Sequence, residues 1–235
     1  MARPAATTHC IAALTLLCAA ATSAFPQSTL TLTGAGPNSL AGIYIGPYTV
    51  TIDGVPTQAI CDDYETETYF NTPWTANVST LADGLTGKKF ANQADALTKY
   101  KEVAWLSLQL FNPVSTCAPG FACGAGSNNT ADIQFAIWQV FDSPTPISTL
   151  TDPDQSNAYA WLKAAEDQKL NNFSSLGDLS SYSFYTPNPL NASQEFIVKT
   201  PEASALALLG IDLSAVGGLL LVFHRRSSIR RSMQA

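Results

Sequence analysis

The sequence predicts an α+β fold, a β-sandwich or barrel with a helical insertion, plus one C-terminal transmembrane helix. Three observations predict it. Residues 28–60 carry β-branched and aromatic residues in short alternating runs, as half-buried strands do. From about Asn92 to Leu170 the apolar period becomes helical. The segments "SYSFYTP" and "SQEFIVKT" then return to a strand pattern. Strands, then helices, then strands make an α+β domain.

The elements follow in order. "STLTLTG" alternates Leu with Ser or Thr, and "GIYIGPYTVTIDGVPTQAICDDY" is broken by Gly-Pro and by Asp53-Gly54, a hairpin turn. "FNTPWTANV", Phe70 to Val78, adds a short strand. In "NQADALTKYKEVAWLSLQLF", Leu97, Tyr100, Val103, Ala104, Leu108 and Phe111 fall at helical spacing, and Asn112-Pro113 ends that helix. "ADIQFAIWQVFD" is a second helix, with Thr130 or Asn129 as its cap and Asp142-Ser143-Pro144 as its end. At roughly 100° per residue, Ala136, Val140, Ile133, Ile137 and Phe141 form one apolar arc, extended by Trp138 and Phe135. Asp132 and Gln139 lie on the polar side, whereas Gln134 projects into the apolar sector. A buried amide without partners costs about 1–3 kcal/mol, so Gln134 needs an explanation. A third helix runs from Asp152-Pro153 to about Leu170.

The two ends divide the chain. Residues 1–24 read as a secretory signal peptide: one Arg, a short apolar core, then small residues. Residues 203–223 give the roughly 20 apolar residues that a membrane helix needs, interrupted by Asp212. Arg225, Arg226, Arg230 and Arg231 follow, which places the tail in the cytoplasm and the rest outside. The exported domain, 25–199, has no Arg and no His, and its lysines are outnumbered by Asp and Glu. An acidic surface argues against nucleic acid as a partner. Without His there is no Ser-His-Asp or Cys-His machinery and no His-ligated zinc. No cofactor or metal is expected. The acidic run Asp62, Asp63, Glu65, Glu67 lacks the spacing of a calcium loop. Trp74, Trp105, Trp138 and Trp161 read as core.

The exported domain has three cysteines, and an oxidising compartment favours disulfides. Cys117 and Cys123 flank a Pro-Gly turn in "CAPGFAC", so a short-loop bridge between them is expected. That leaves Cys61 unpaired, at the end of a strand and beside Asp62 and Asp63. Those carboxylates raise its thiol pKa, so it is a poor free thiolate nucleophile.

Two resemblances give these residues a setting. The tail resembles the PEP-CTERM sorting signal: Pro201-Glu202, an apolar helix, then an arginine cluster that includes Arg225 and Arg226, with Ala203 where a second proline is usual. The resemblance implies recognition by an exosortase, a membrane anchor through the C-terminal helix, and export to the surface or matrix after processing. The domain resembles the Cys–Gln thioester domains of bacterial surface proteins. Ile133-Gln134-Phe135-Ala136-Ile137-Trp138 matches the glutamine motif, and Ile60-Cys61-Asp62-Asp63 matches the cysteine motif in its acid but not in the residue before Cys. "KYKEVAWLSLQLF" is similar to the helix between the two motifs. This implies that Cys61 and Gln134 lose ammonia to form an internal thioester, and that a partner amine then attacks it. The expected function is a surface adhesin, not an enzyme, coupling to a surface amine or matrix polymer. The alternatives are a non-covalent structural protein of the exopolysaccharide or biofilm matrix, and a hydrolase using Asp63 and Asp142.

Overall fold

A computed structural model describes residues 25–111, 117–121 and 128–200. The strands are β1 (Gln27–Gly34), β2 (Ser39–Leu40), β3 (Ile43–Tyr44), β4 (Tyr48–Ile52), β5 (Val55–Cys61), β6 (Pro73–Thr80), β7 (Tyr182–Pro187) and β8 (Phe196–Lys199). The helices are α1 (Ala96–Phe111), α2 (Asn129–Asp142), α3 (Thr145–Ser148) and α4 (Asp154–Asp167), the last continuing as a 3₁₀ turn over Gln168–Asn171. The helical region is thus an insertion between β6 and β7.

The β-sandwich-or-barrel expectation resolves to a closed antiparallel barrel in the order β1-β4-β5-β8-β7-β6, with β2 and β3 as a separate hairpin. Asp53-Gly54 makes the expected turn: the β4–β5 register closes on Ile52 opposite Val55, with both turn residues at positive φ. Alternation along the strands builds two cores. Leu30, Val50, Ala59, Cys61, Trp74 and Phe196 share one cluster of buried side chains. Ile60, Phe184 and Ile197 face the other way and pack with Tyr100, Val103, Ile133 and Ile137 of α1 and α2. So β5 ends in three buried residues, Ala59 to Cys61, because each of its faces meets apolar side chains there. All four tryptophans are buried, as expected of core.

Several boundaries move. The strand read at Phe70–Val78 runs over Pro73–Thr80, and the first helix starts at Ala96. The cap of α2 is Asn128, not Asn129 or Thr130; its side-chain oxygen accepts from the Ala131 N–H at 3.3 Å. The largest correction concerns the polar side of α2. Asp132 and Gln139 are buried, like every other residue from Ala131 to Phe141. The helix lies between the strands and α1 on one side and α3 and α4 on the other, so it has no solvent face over those residues. Gln139 serves a structural purpose there: its Oε1 accepts from the Ile147 N–H at 3.0 Å, fastening α3.

Among the described residues, no helix is long and apolar enough to cross a membrane. The signal peptide, the expected membrane helix 203–223 and the sorting residues Pro201, Glu202, Arg225 and Arg226 lie outside the described residues.

Candidate functional site

Cys61 is the last residue of β5, and Gln134 sits in the second turn of α2. Both are fully buried. The fold brings them together across 73 positions of sequence: Gln134 Nε2 donates to the Cys61 carbonyl oxygen at 2.7 Å. The other end of the carboxamide is unpaid for: Gln134 Oε1 has no hydrogen-bond partner among the described residues. A buried acceptor left in that state costs about 1–3 kcal/mol.

Gly46 makes room for this arrangement. A Cβ built on Gly46 would stand 2.8 Å from Gln134 Oε1 and 3.1 Å from the Tyr48 ring. Only a residue without a side chain lets the backbone approach so closely. The sequence reading passed over Gly46 as a break between strands. Its signal was the isolated glycine inside an apolar, strand-like run, which marks close approach.

The cysteine sulfur is enclosed by its own loop. Sγ donates to the Asp63 carbonyl oxygen at 3.1 Å and lies 3.4 Å from the Asp63 N–H. Burial pushes the thiol well above its usual pKa, and the charges of Asp63 and Asp62 push it further; the Asp63 backbone and the Trp138 indole oppose the rise. The carboxylates therefore act as expected, with burial the larger cause. Trp138 lies one helical turn beyond Gln134 on α2, and its indole N–H is the side-chain donor that opposes the rise of the Cys61 thiol pKa. The site therefore holds an unpartnered acceptor, Gln134 Oε1, one turn from an indole donor that serves Cys61.

The acidic loop after Cys61 separates into distinct roles. Asp63 pairs with the Lys89 ammonium, which also donates to Thr66 Oγ1. The Asp142 carboxylate accepts from the Tyr64 N–H at 2.9 Å, and burial raises its pKa to about 6. Asp63 and Asp142 are thus each engaged in holding the loop. Asp62 is fully buried with neither carboxylate oxygen bonded; burial and then the nearby Glu195 charge raise its pKa. Glu195 accepts from Tyr100 Oη at 2.7 Å, from the Lys89 N–H at 2.9 Å and from Thr186 Oγ1. Glu195 thus has three donors, whereas the Asp62 carboxylate has none from another residue among those described. Among the described residues, no group of His, Cys, Asp and Glu side chains has the arrangement to hold a metal ion.

Cys117 is disulfide-bonded, and Cys123, its expected partner, lies outside the described residues.

A cleft of about 470 Å³ reaches the neighbours of the Cys61–Gln134 pair, though neither residue lines it. Trp138 and Tyr48 line it, and both border Cys61: Tyr48 shares the cysteine's apolar cluster. Tyr64 leans on Trp138, with ring centroids 5.4 Å apart.

No protein-family model matches the chain. No curated protein matches it either. Among solved structures the chain is similar to a pilus-presented adhesin, Cpa, in a cysteine-to-alanine mutant form, with 13% identity and a TM-score of 0.44. The match covers 77% of this chain and 49% of that one, so it spans about half the length of the adhesin chain.

Proposed function

We propose that the chain is an exported surface protein, an adhesin in which Cys61 and Gln134 form an internal thioester that couples covalently to a partner amine. One observation carries the reading: a fully buried carboxamide that reaches Cys61, with Nε2 2.7 Å from its carbonyl oxygen and Oε1 unpartnered. The motif resemblance at Ile133–Trp138 and Ile60–Asp63 supports it. The chemistry balances without a cofactor. Cys61 Sγ adds to the Gln134 side-chain carbonyl carbon, the thiol proton goes to the amide nitrogen, and ammonia leaves. A primary amine then attacks the same carbon; an amide forms, the carbon–sulfur bond breaks, and a proton returns to Sγ. The Nε2 bond holds the carboxamide against the Cys61 backbone, so the first step is intramolecular, with a large effective concentration. Both steps put negative charge on Gln134 Oε1, and the Trp138 Nε1–H, on the next turn of α2, is the donor we assign to meet it. Each molecule reacts once, so this is adhesion and not turnover.

The sorting residues Pro201, Glu202, Arg225 and Arg226 extend the proposal to an exosortase, anchorage through the C-terminal helix, and delivery to the cell surface or extracellular matrix. The test is intact mass. The thioester form is lighter than the disulfide-bonded sequence by one ammonia, and Cys61→Ala restores the full mass. A native Cys61 that alkylates readily with no added amine overturns the proposal.

One observation favours a second reading. A glutamine whose Nε2 bonds a strand carbonyl is also how an unreactive core amide is satisfied. On that reading the chain is a non-covalent structural protein of the exopolysaccharide or biofilm matrix. Full mass together with no methylamine uptake decides for it.

A further inference from the structure

We propose that the aromatic cleft beside Cys61 and Gln134 takes an amino-sugar polymer, a glycan with unacetylated primary amines, and that this glycan supplies the amine. The inference rests on the thioester reading above and deepens it.

The cleft's volume, about 470 Å³, is that of an ordinary ligand site. Its walls are rings. Tyr44 of the β2–β3 hairpin, and Tyr69 and Phe70 of the loop before β6, are 58%, 66% and 43% exposed. Exposed rings clustered around one concavity mark a binding surface, because isolated exposure would scatter them. Tyr44 and Phe70 already pack edge to face, at 5.9 Å between centroids. Ring faces accept the C–H faces of sugars, and a cleft with several such walls is wider than one aliphatic stem needs.

Charge narrows the choice of sugar. Glu65 and Glu67 line the cleft, and no Lys or Arg is among the described residues that do; Lys89, which donates to the lining Thr66, is paired with Asp63. With an acidic domain around it, the cleft repels anionic glycans and attracts ammonium groups. Thr66, Thr68 and Gln194 add polar groups suited to hydroxyls.

Reactivity narrows it again. Attack requires the neutral amine. A lysine with a pKa of about 10.4 is neutral in fewer than about one molecule in a thousand at pH 7. An amino-sugar amine sits beside electron-withdrawing hydroxyl and acetal oxygens, so it is less basic and more often free. The cleft also ends close to the pair: Trp138 is shared by its lining and by the surroundings of Cys61.

The experiment exposes the full-length chain to glucosamine tetramer, its fully N-acetylated counterpart, a lysine-containing peptide or methylamine, and reads intact mass and peptide maps over time. The expected result is a glucosamine adduct on the peptide containing Gln134. It forms faster than the methylamine adduct at equal concentration, and not at all with the acetylated tetramer. Glu65→Gln with Glu67→Gln slows capture of the glucosamine tetramer about two- to fivefold, the range of exposed charge pairs. Cys61→Ala binds the tetramer without forming an adduct, read by tryptophan fluorescence, which tests the cleft apart from the chemistry. Methylamine uptake with no faster glucosamine capture overturns the inference and leaves the thioester standing. Faster capture of the lysine peptide assigns the cleft to a polypeptide and overturns it too. Full mass with no uptake of any amine overturns the thioester itself.

Discussion

At the scale of residues, the site is a set of misfits that explain one another. Gln134 stood out in the sequence because an amide does not belong in an apolar arc, and Cys61 because it had no partner. The fold brings them together, with Gln134 Nε2 donating to the Cys61 carbonyl oxygen, and the proposed thioester would account for both. Gly46 left only the faint signal of an isolated glycine in a strand-like run, and the direction of the Trp138 N–H left none, since both depend on what packs against them. They give two predictions. Gly46→Ala puts a methyl group 2.8 Å from Gln134 Oε1, so the amide is pushed off Cys61. The expected outcome is loss of the ammonia-deficient form, with a destabilisation of about 1–3 kcal/mol from overpacking. A variant that is fully ammonia-deficient counts against the placement of Gly46. Trp138→Phe keeps a ring and removes the N–H. The thioester should still form, while the rate of methylamine uptake falls about a hundredfold, as when one oxyanion donor is lost. An unchanged rate assigns Trp138 to packing alone.

At the scale of elements, α2 is the piece that the sequence described half correctly. Its apolar arc and its glutamine were visible, and its extent was close. Its polar side was misread because helical periodicity reports only the residues of one helix, while burial depends on what covers it. Here α3 and α4 cover the face that carries Asp132 and Gln139. Gln139 has work inside, as the acceptor that fastens α3. Gln139→Leu keeps the volume and removes the acceptor of the Ile147 N–H. Orphaning that buried donor should cost about 1–3 kcal/mol. Urea denaturation measures it: the midpoint falls and the slope stays constant. A midpoint equal to that of the parent shows that α3 is held by other means.

At the scale of the whole molecule, buried carboxyls set the response to pH. Burial raises the pKa of Asp62, Glu102 and Glu195, takes Asp142 to about 6, and with the Asp154 charge takes Asp132 to about 8. A carboxyl whose pKa is raised by folding favours the folded state while protonated. That contribution is complete below the unfolded values near 4 and fades as pH rises through 6 to 8. The melting midpoint should therefore fall between pH 5 and pH 8.5, and Asp132→Asn should flatten part of the slope. A midpoint that climbs over that range contradicts this account. Lys88, lowered to about 8 by burial, works in the opposite direction only above that pH. The order of strands, helices and strands was readable from periodicity; closure of the sheet was not. It depends on β6 pairing with both β1 and β7, and on β8 joining β7 to β5, pairings far apart along the chain. That closure limits how copies of the molecule can accumulate. Among the described residues, each of the six barrel strands has a neighbour on either side, so strand addition by another chain is confined to the separate β2–β3 hairpin and to residues 55–59 of β5, beyond its two-residue pairing with β8. The closed barrel is thus a poor template for fibres built strand on strand.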